Sequence, residues 1–346
     1  MSNLFIESLN DYKEKCNSLF ENGEIKNFLS ELDVHSKMPD YIDALIRHSK
    51  GGKRIRAYLV NLGYCLLSGF DNAEKILLPS LSFELFQTGI LAHDDIIDNS
   101  DYRRFKPSMH KDLGKGHDGV SKSICVGDLG IIAAIEILQK GDFSDSVKLR
   151  AITHQNKVFS STIAGELKDI EFSYADRAEE CDIIDMYTLK TAQYTVSGPL
   201  VLGAILADAD EKFIDLLYDF GNSVGICFQI RDDILGIYGS ENEVGKSITS
   251  DMCEGKKTVL VSHFDRTASE ADKELFYSVY GKENSGEKQL VLVKTLLEKS
   301  GSLQYALNLC DSYVERATSV IDKMNVSEKS KELLTGLLEY MTSRKN

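Results

Sequence analysis

The chain is predicted to be all-α, and three observations predict it. Its 346 residues include only four prolines, so little interrupts long helices. Apolar residues recur three and four apart over most of the length, the spacing of helices that bury one face. Alternating apolar–polar runs, turn signals between apolar runs and repeats of solenoid period do not occur. A hydrophobic content of 42% and a charged content of 27% suit a globular protein, and residues 1–346 are expected to form a single domain with ample core.

The elements follow in order. Residues 3–35 keep helical spacing up to Met38-Pro39, and Tyr41–His48 continues it. Lys50-Gly51-Gly52-Lys53-Arg54-Ile55-Arg56 opens an apolar helix that runs through Leu67. Accessible backbone amides at a helix start, together with Lys53, Arg54 and Arg56, suit a phosphate. From Asp71 to Asp98 the apolar positions continue unbroken, which predicts one long helix. Tyr102–Gly119 is loop-like and carries Arg103-Arg104. Ser121–Gln139, Asp145–Tyr174, Cys181–Asp208 and Asp210–Tyr238 are further long helices, the third expected to bend at Pro199. Gly239–Lys257 is the most polar loop and holds Lys246 and Lys256. Beyond it, Leu303, Ala306, Leu307, Cys310, Val314, Ala317, Ile321 and Met324 mark the buried face of another helix.

Two acidic stretches stand inside apolar runs, His93-Asp94-Asp95-Ile96-Ile97-Asp98 and Gln229-Ile230-Arg231-Asp232-Asp233. On a helix Asp94 and Asp98 share a face, with Asp95 one step round. Two carboxylates ~4 Å apart repel by about 4 kcal/mol at an effective dielectric near 20. A chain that accepts this twice is expected to hold a cation there, and hard oxygen ligands with room for water suit Mg²⁺. A solvated helix face is the plainer reading of one such motif. Two copies in apolar runs, with Arg103-Arg104 placed for bidentate phosphate binding, favour the metal.

A net charge of −14 argues against a nucleic-acid partner. The seven cysteines (Cys16, Cys65, Cys125, Cys181, Cys227, Cys253 and Cys310) are scattered and lack zinc-ligand spacing. They are expected to be reduced core thiols of a cytoplasmic protein. Met1–Phe20 carries acids and no apolar signal core, and no apolar run approaches the ~18 residues of a membrane span.

Taken together, these motifs resemble the trans-isoprenyl diphosphate synthases, and they do so over nearly the whole chain. The matching parts, in family order, are Gly51-Gly52-Lys53-Arg54-Ile55-Arg56; Glu84-Leu85-Phe86-Gln87; His93 to Asp98 with Arg103-Arg104 and Lys106-Pro107; Gly127-Asp128; Lys190-Thr191; Phe228 to Asp233; and Gly245-Lys246 with Glu254-Gly255-Lys256-Lys257-Thr258. The resemblance implies the isoprenoid synthase fold: long antiparallel helices around a central cavity, with the acidic motifs facing each other across its mouth. It also implies a homodimer and a Mg²⁺-dependent, head-to-tail, all-trans condensation of an allylic diphosphate with isopentenyl diphosphate. Three Mg²⁺ ions would lie between Asp94, Asp95 and Asp98 on one side and Asp232 and Asp233 on the other. Arg103, Lys190, Lys246 and Lys256 would bind the allylic diphosphate. Lys53, Arg56, Gln87 and Arg104 would bind that of isopentenyl diphosphate. Thr191, Gln229 and backbone carbonyls near Lys190 would face the allylic cation as dipoles, and no nucleophile is called for.

Several positions depart from the family pattern. Phe105 stands where Gly usually follows the paired arginines, Ala57 replaces a common Pro, and Gly236 replaces a third Asp in the second motif. Glu166 stands for a common Gln, and Asp169 is taken as supporting. Product length follows from residues below the first motif. Family members that stop at farnesyl diphosphate carry aromatics at the fourth and fifth positions before the first Asp; here those are Ile90 and Gly89. A helical turn rises about 5.4 Å, roughly one isoprene unit. With Phe86 one turn deeper, or the facing helix Ile124–Leu138, as the floor, geranylgeranyl diphosphate or a somewhat longer product is expected. A farnesyl diphosphate synthase and a subunit of a two-component long-chain synthase remain alternatives. A terpene cyclase would not need Lys53, Arg56 and Arg104, and a di-iron bundle would need Glu-x-x-His pairs that neither motif has nearby.

Overall fold

The computed structural model describes residues 3–33, 35–103, 106–240 and 248–342, and 80% of the described residues are helical, as predicted. Among the described residues the strands are β1 (Tyr102–Arg103) and β2 (Lys106–Pro107), an antiparallel pair inside a stretch predicted to be loop. Two compact units result. The first comprises Asn3–Asn156 with Pro199–Ile214, the second Lys157–Gly198 with Asp215–Asn346.

In the first unit, α1 (Asn3–Glu21) and α2 (Glu24–Leu32) replace the single helix predicted over 3–35. Gly23 separates them with φ 89°, a left-handed conformation that glycine adopts without strain and a helix interior does not contain. α3 (Pro39–Ser49) places its proline at the first position, where a missing N–H costs nothing. α4 (Ile55–Ser68) buries every residue from Ala57 to Leu66, as a helix packed on all sides must. The helix predicted from Asp71 to Asp98 is instead three pieces: a 3-10 segment Phe70–Ile76, α5 (Leu77–Ser80) and α6 (Ser82–Ile97). Pro79 gives the reason, because it has no N–H to bond the fourth residue back, so an α-helix containing it starts just before it. α7 (Met109–Asp112) and α8 (Gly116–Glu136) follow, then α9 (Asp145–Tyr174) with the predicted bounds. α6 and α8 touch backbone to backbone: a Cβ on Gly89 would lie 2.6 Å from the Gly127 carbonyl oxygen.

In the chain that follows, α10 (Glu180–Met186) leads into Tyr187–Ser197, which winds as a π-helix, and then α11 (Gly198–Leu206). The predicted bend at Pro199 is realised as a widening, since Pro199 cannot donate to the carbonyl four residues back. Accordingly the Gly198 N–H reaches back to Gln193 O. α12 (Glu211–Tyr238) is capped by Asp210, whose side chain accepts from Phe213 N at 2.8 Å. α13 (Ser250–Glu254), inside the predicted polar loop, precedes α14 (Val259–Thr267), α15 (Glu270–Tyr277), α16 (Glu287–Lys299), α17 (Ser302–Lys323) and α18 (Glu328–Thr342). The second unit's core joins α12, α14, α16 and α17 through Ile230, Val261, Phe264, Leu297 and Cys310. On α17, Ala306, Cys310, Ala317, Ile321 and, just beyond it, Met324 are buried as predicted.

Among the described residues no cysteine forms a disulfide, but not all are core thiols. Cys16, Cys65, Cys227 and Cys310 are buried, while Cys125 and Cys181 are exposed; Cys125 shares the outward face of α8 with exposed Ile124. Among the described residues no helix is long and apolar enough to cross a membrane.

Candidate active site

The last turn of α6 carries the first acidic motif. Asp95 is buried, Asp94 half-buried and Asp98 exposed. The β1–β2 hairpin returns Arg103 onto them, with Nε donating to Asp95 Oδ1 at 2.6 Å and Nη2 to Asp94 Oδ2 at 2.9 Å. Burial raises the Asp95 carboxyl above its ordinary range, and the Arg103 charge works against that rise. Two carboxylates thus converge on one cation, here a guanidinium. His93 anchors the same turn to α8, its Nε2 lying 3.2 Å from Ile124 O and 3.5 Å from Asp128 Oδ1.

Beside this motif, within the first unit, opens a cleft of about 550 Å³. Its walls include Asp95, Arg103, Arg47, Lys50, Gly51 and Gly52. Gly51 and Gly52 have φ of 90° and 81°, a left-handed backbone that glycine adopts without strain. Arg47, His48, Lys50 and Lys106 line the cleft and went unmarked as ligands in the sequence reading; the signal was the basic run that ends α3. Asp112 accepts from Arg47 Nη2 at 2.7 Å and faces His48 Nε2 at 3.1 Å, and the Arg47 hydrogen bond holds its carboxyl below the ordinary range.

The remaining cationic residues separate. Lys53 is exposed and Arg56 half-buried at the start of α4, and Gln87 is half-buried on α6. Arg54 is not a surface cation as the sequence suggested. Its φ is 55° and it turns inward, with Nη1 donating to Glu84 Oε2 at 3.2 Å, Nε to Asn17 Oδ1 at 3.2 Å, and its guanidinium over the Phe20 ring. Both ends of this ion pair are buried, at 2% and 6% side-chain exposure. Phe86 is fully buried, Ile90 half-buried, and Gly89 lies against α8. Arg104, Phe105 and Lys246 lie outside the described residues.

In the second unit the π segment carries Lys190 and Thr191. Lys190 pairs with Asp169 and with Glu166 Oε2 at 2.8 Å, which gives both flanking acids a role. Burial lowers the ammonium, and the two carboxylates outweigh it, holding Lys190 above the usual lysine range. Thr191 Oγ1 donates to Gln229 Oε1 at 2.8 Å, and Gln229 Nε2 donates to Asp233 Oδ1 at 2.9 Å. Tyr187 donates to the other Asp233 oxygen. Burial pushes the Asp233 carboxyl up to about 7, against the Tyr187 and Gln229 hydrogen bonds. Asp232, its neighbour, is half-buried. Lys256 pairs with Asp251 at 3.0 Å and Glu254 at 3.5 Å; burial lowers it and those acids outweigh burial. Asp251 was missed in the sequence, and it explains Gly236: a Cβ there would lie 1.8 Å from Asp251 Oδ2. Asp251, on α13, thus occupies the space that a side chain at position 236 would enter.

Among the described residues no three His, Cys, Asp or Glu side chains converge as a ready metal cage. Asp94 and Asp95 nevertheless fit a hard cation, since their oxygens already meet on one positive charge and Mg²⁺ takes few protein ligands, completing its shell with water and phosphate.

An all-α chain with Asp-rich helix turns, a glycine–cation loop and half-buried lysine–carboxylate clusters has the equipment of an enzyme acting on diphosphates. Residues 39–297 match the profile of the polyprenyl synthetase family, and the chain belongs to that family; it is a prenyltransferase. It is 30% identical to a geranylgeranyl diphosphate synthase of Sulfolobus acidocaldarius over 96% of each chain. It is also 30% identical to a geranylfarnesyl diphosphate synthase of Aeropyrum pernix, over 90% of this chain and 97% of that one. A geranylgeranyl pyrophosphate synthase from Corynebacterium glutamicum, solved with isoprenyl diphosphate and magnesium, superposes with a TM-score of 0.86, 26% identity and 99% coverage of both chains.

Proposed function

We propose that the protein condenses an allylic diphosphate with isopentenyl diphosphate, head to tail and all-trans, to give geranylgeranyl diphosphate or a somewhat longer product. The observation that carries this reading is the cleft that runs from the Asp95–Arg103 pair to the Gly51–Gly52 loop. It sets a carboxylate site for a metal-bound diphosphate beside a cationic cradle for a second diphosphate.

Ionisation of the allylic C–O bond places growing negative charge on the departing diphosphate. Magnesium, three ions by family resemblance, would be held by Asp94, Asp95, Asp98, Asp232 and Asp233, and when bound supplies Lewis-acid stabilisation of that charge. Arg103, Lys190, Lys246 and Lys256 serve as fixed cations toward the allylic diphosphate. Their carboxylate partners keep Lys190 and Lys256 protonated. Lys53, Arg56, Gln87 and Arg104 bind isopentenyl diphosphate. Thr191 and Gln229 face the allylic cation with dipoles, and the final proton leaves to the released diphosphate. The reading also takes the chain as one working domain, a homodimer and cytoplasmic; exposed Ile124 and Ile132 on α8 support a self-associating face.

Purified protein with Mg²⁺, labelled isopentenyl diphosphate and each allylic primer in turn tests the reaction. Growth to geranylgeranyl or longer chains is expected. Farnesyl diphosphate as the sole product in excess isopentenyl diphosphate would keep the reaction and discard the product length. Ile90→Phe is expected to shorten the product to farnesyl diphosphate, measured by chain length after dephosphorylation; an unchanged product removes Ile90 from the cavity floor. Gly89 serves this test less well, because any side chain there meets the Gly127 carbonyl. Lys53→Ala is expected to raise the KM for isopentenyl diphosphate about tenfold with little change for the primer. A selective loss of primer affinity would mean that the two pockets are exchanged.

A further inference from the structure

We infer that Tyr280 is a positioning residue for the allylic diphosphate, because its hydroxyl and the turn it opens hold the backbone of Lys256. The inference rests on the role proposed above for Lys256. That residue stands in the connector 255–258 between α13 and α14, and Gly255 ends α13 with φ 67°, the left-handed turn that stops a helix. The support of this connector comes from the turn after α15. Tyr280 is 3% exposed, and its hydroxyl donates to Lys256 O at 2.7 Å. The N–H of the next residue, Gly281, donates to Met252 O at 2.8 Å. Gly281 has φ 72° and meets Gly255 backbone to backbone, since a Cβ on Gly255 would lie 3.0 Å from Gly281 Cα. Cys253 Sγ donates to Ser285 O at 3.3 Å. Residues 252, 253, 255 and 256 are therefore all seated on the segment 280–285.

The seat itself belongs to the core. The Tyr280 ring stacks on Phe276 with centroids 4.6 Å apart, and Phe276 packs on Phe264 of α14 at 4.5 Å. An aromatic ladder thus carries the hydroxyl to the Lys256 carbonyl. A lysine ammonium is a point charge on a flexible four-carbon stem, and it stabilises a departing diphosphate best when it need not reorganise during the reaction. Two restraints act on Lys256. Asp251 and Glu254 hold its Nζ at 3.0 Å and 3.5 Å, and both belong to α13. Tyr280 and Gly281 tie α13 and the Lys256 backbone to the core, so the ammonium and its two carboxylates are placed as one body. The Tyr280 hydroxyl, spent on a backbone carbonyl, acts on the diphosphate only through Lys256.

Calorimetric titration of the full chain with inorganic diphosphate and Mg²⁺ reads the site without turnover, and steady-state kinetics reads it during the reaction. Tyr280→Phe keeps the ring and removes the hydroxyl. It is expected to weaken diphosphate binding about fivefold and to raise the KM for the allylic diphosphate by a similar factor, while the KM for isopentenyl diphosphate stays within about twofold. Lys256→Met should weaken diphosphate binding at least as much. In the Lys256→Met background Tyr280→Phe should cost nothing further, because its effect runs through the ammonium, whereas a residue that served only stability would cost the same in both backgrounds. If Tyr280→Phe does not fold, Gly281→Ala takes its place in the same comparison, since an alanine strains the left-handed turn that holds Met252 O. Full-strength diphosphate binding in the Tyr280 variant, equal rises in both KM values, or multiplicative losses in the double variant would overturn the inference. Full-strength binding in Lys256→Met would overturn the role given to Lys256 and the inference with it. Absence of any prenyl product from the wild type would instead sink the proposed reaction, and the titration would still decide whether Tyr280 acts through Lys256.

Discussion

Asp94→Ala is expected to lower turnover about a thousandfold or more, and Asp232→Ala likewise, because each removes a carboxylate proposed to hold the metal that stabilises the leaving diphosphate. The fold should survive in both. Asp94 is half-buried and shares Arg103 with Asp95, so its loss leaves the 2.6 Å bond from Arg103 Nε to Asp95 in place and the β1–β2 hairpin anchored. Product formation, compared at matched far-ultraviolet circular dichroism and melting temperature, separates the two effects. Near-normal activity in either variant would contradict the metal assignment. A melting temperature that fell with the activity would mean that the carboxylate is needed for folding rather than for catalysis.

The enzyme class was legible because residue type carries it: paired aspartates, adjacent arginines and glycines before lysines have few other uses in that order. The wiring of the candidate site was less so. Arg54 sits in a Lys-Arg-x-Arg run that reads as surface charge, and only tertiary packing reveals that Glu84 accepts its guanidinium. Asp251 escaped for a similar reason. The sequence showed that Gly236 lacked a carboxylate but not that a residue on another helix fills the same space. Fold class and the bounds of α9 were legible from apolar period. Helix breaks were not, since period is blind to a single left-handed residue such as Gly23 or to a restart near Pro79. Both breaks nevertheless carried a readable local signal, Asn22-Gly23 and the proline itself. The π segment is harder still: over eleven residues its apolar spacing hardly differs from an α-helix, and only the proline after it hints at widened turns.

The largest expected loss of stability belongs to Glu84→Ala. The variant would strand the Arg54 guanidinium, whose side chain is 2% exposed, without its anionic partner, and would also remove the acceptor that Glu84 Oε1 offers to Ala57 N at 3.3 Å. Breaking a buried ion pair from one side costs about 3–5 kcal/mol, a large share of the roughly 5–15 kcal/mol that holds a typical protein folded. The double variant Arg54→Met with Glu84→Leu should lose far less, because it removes both charges and keeps the volume. Urea denaturation of the two variants reads this difference directly, and equal losses would show that packing around Phe20, not charge, sets the cost. The double variant also has a catalytic consequence. Arg54 holds a left-handed φ that costs a non-glycine residue about 1–2 kcal/mol, and the ion pair with Glu84 is what offsets it. A stable double variant freed of that pair is therefore expected to relax the Gly51–Gly52 turn, and to raise the KM for isopentenyl diphosphate with kcat largely kept.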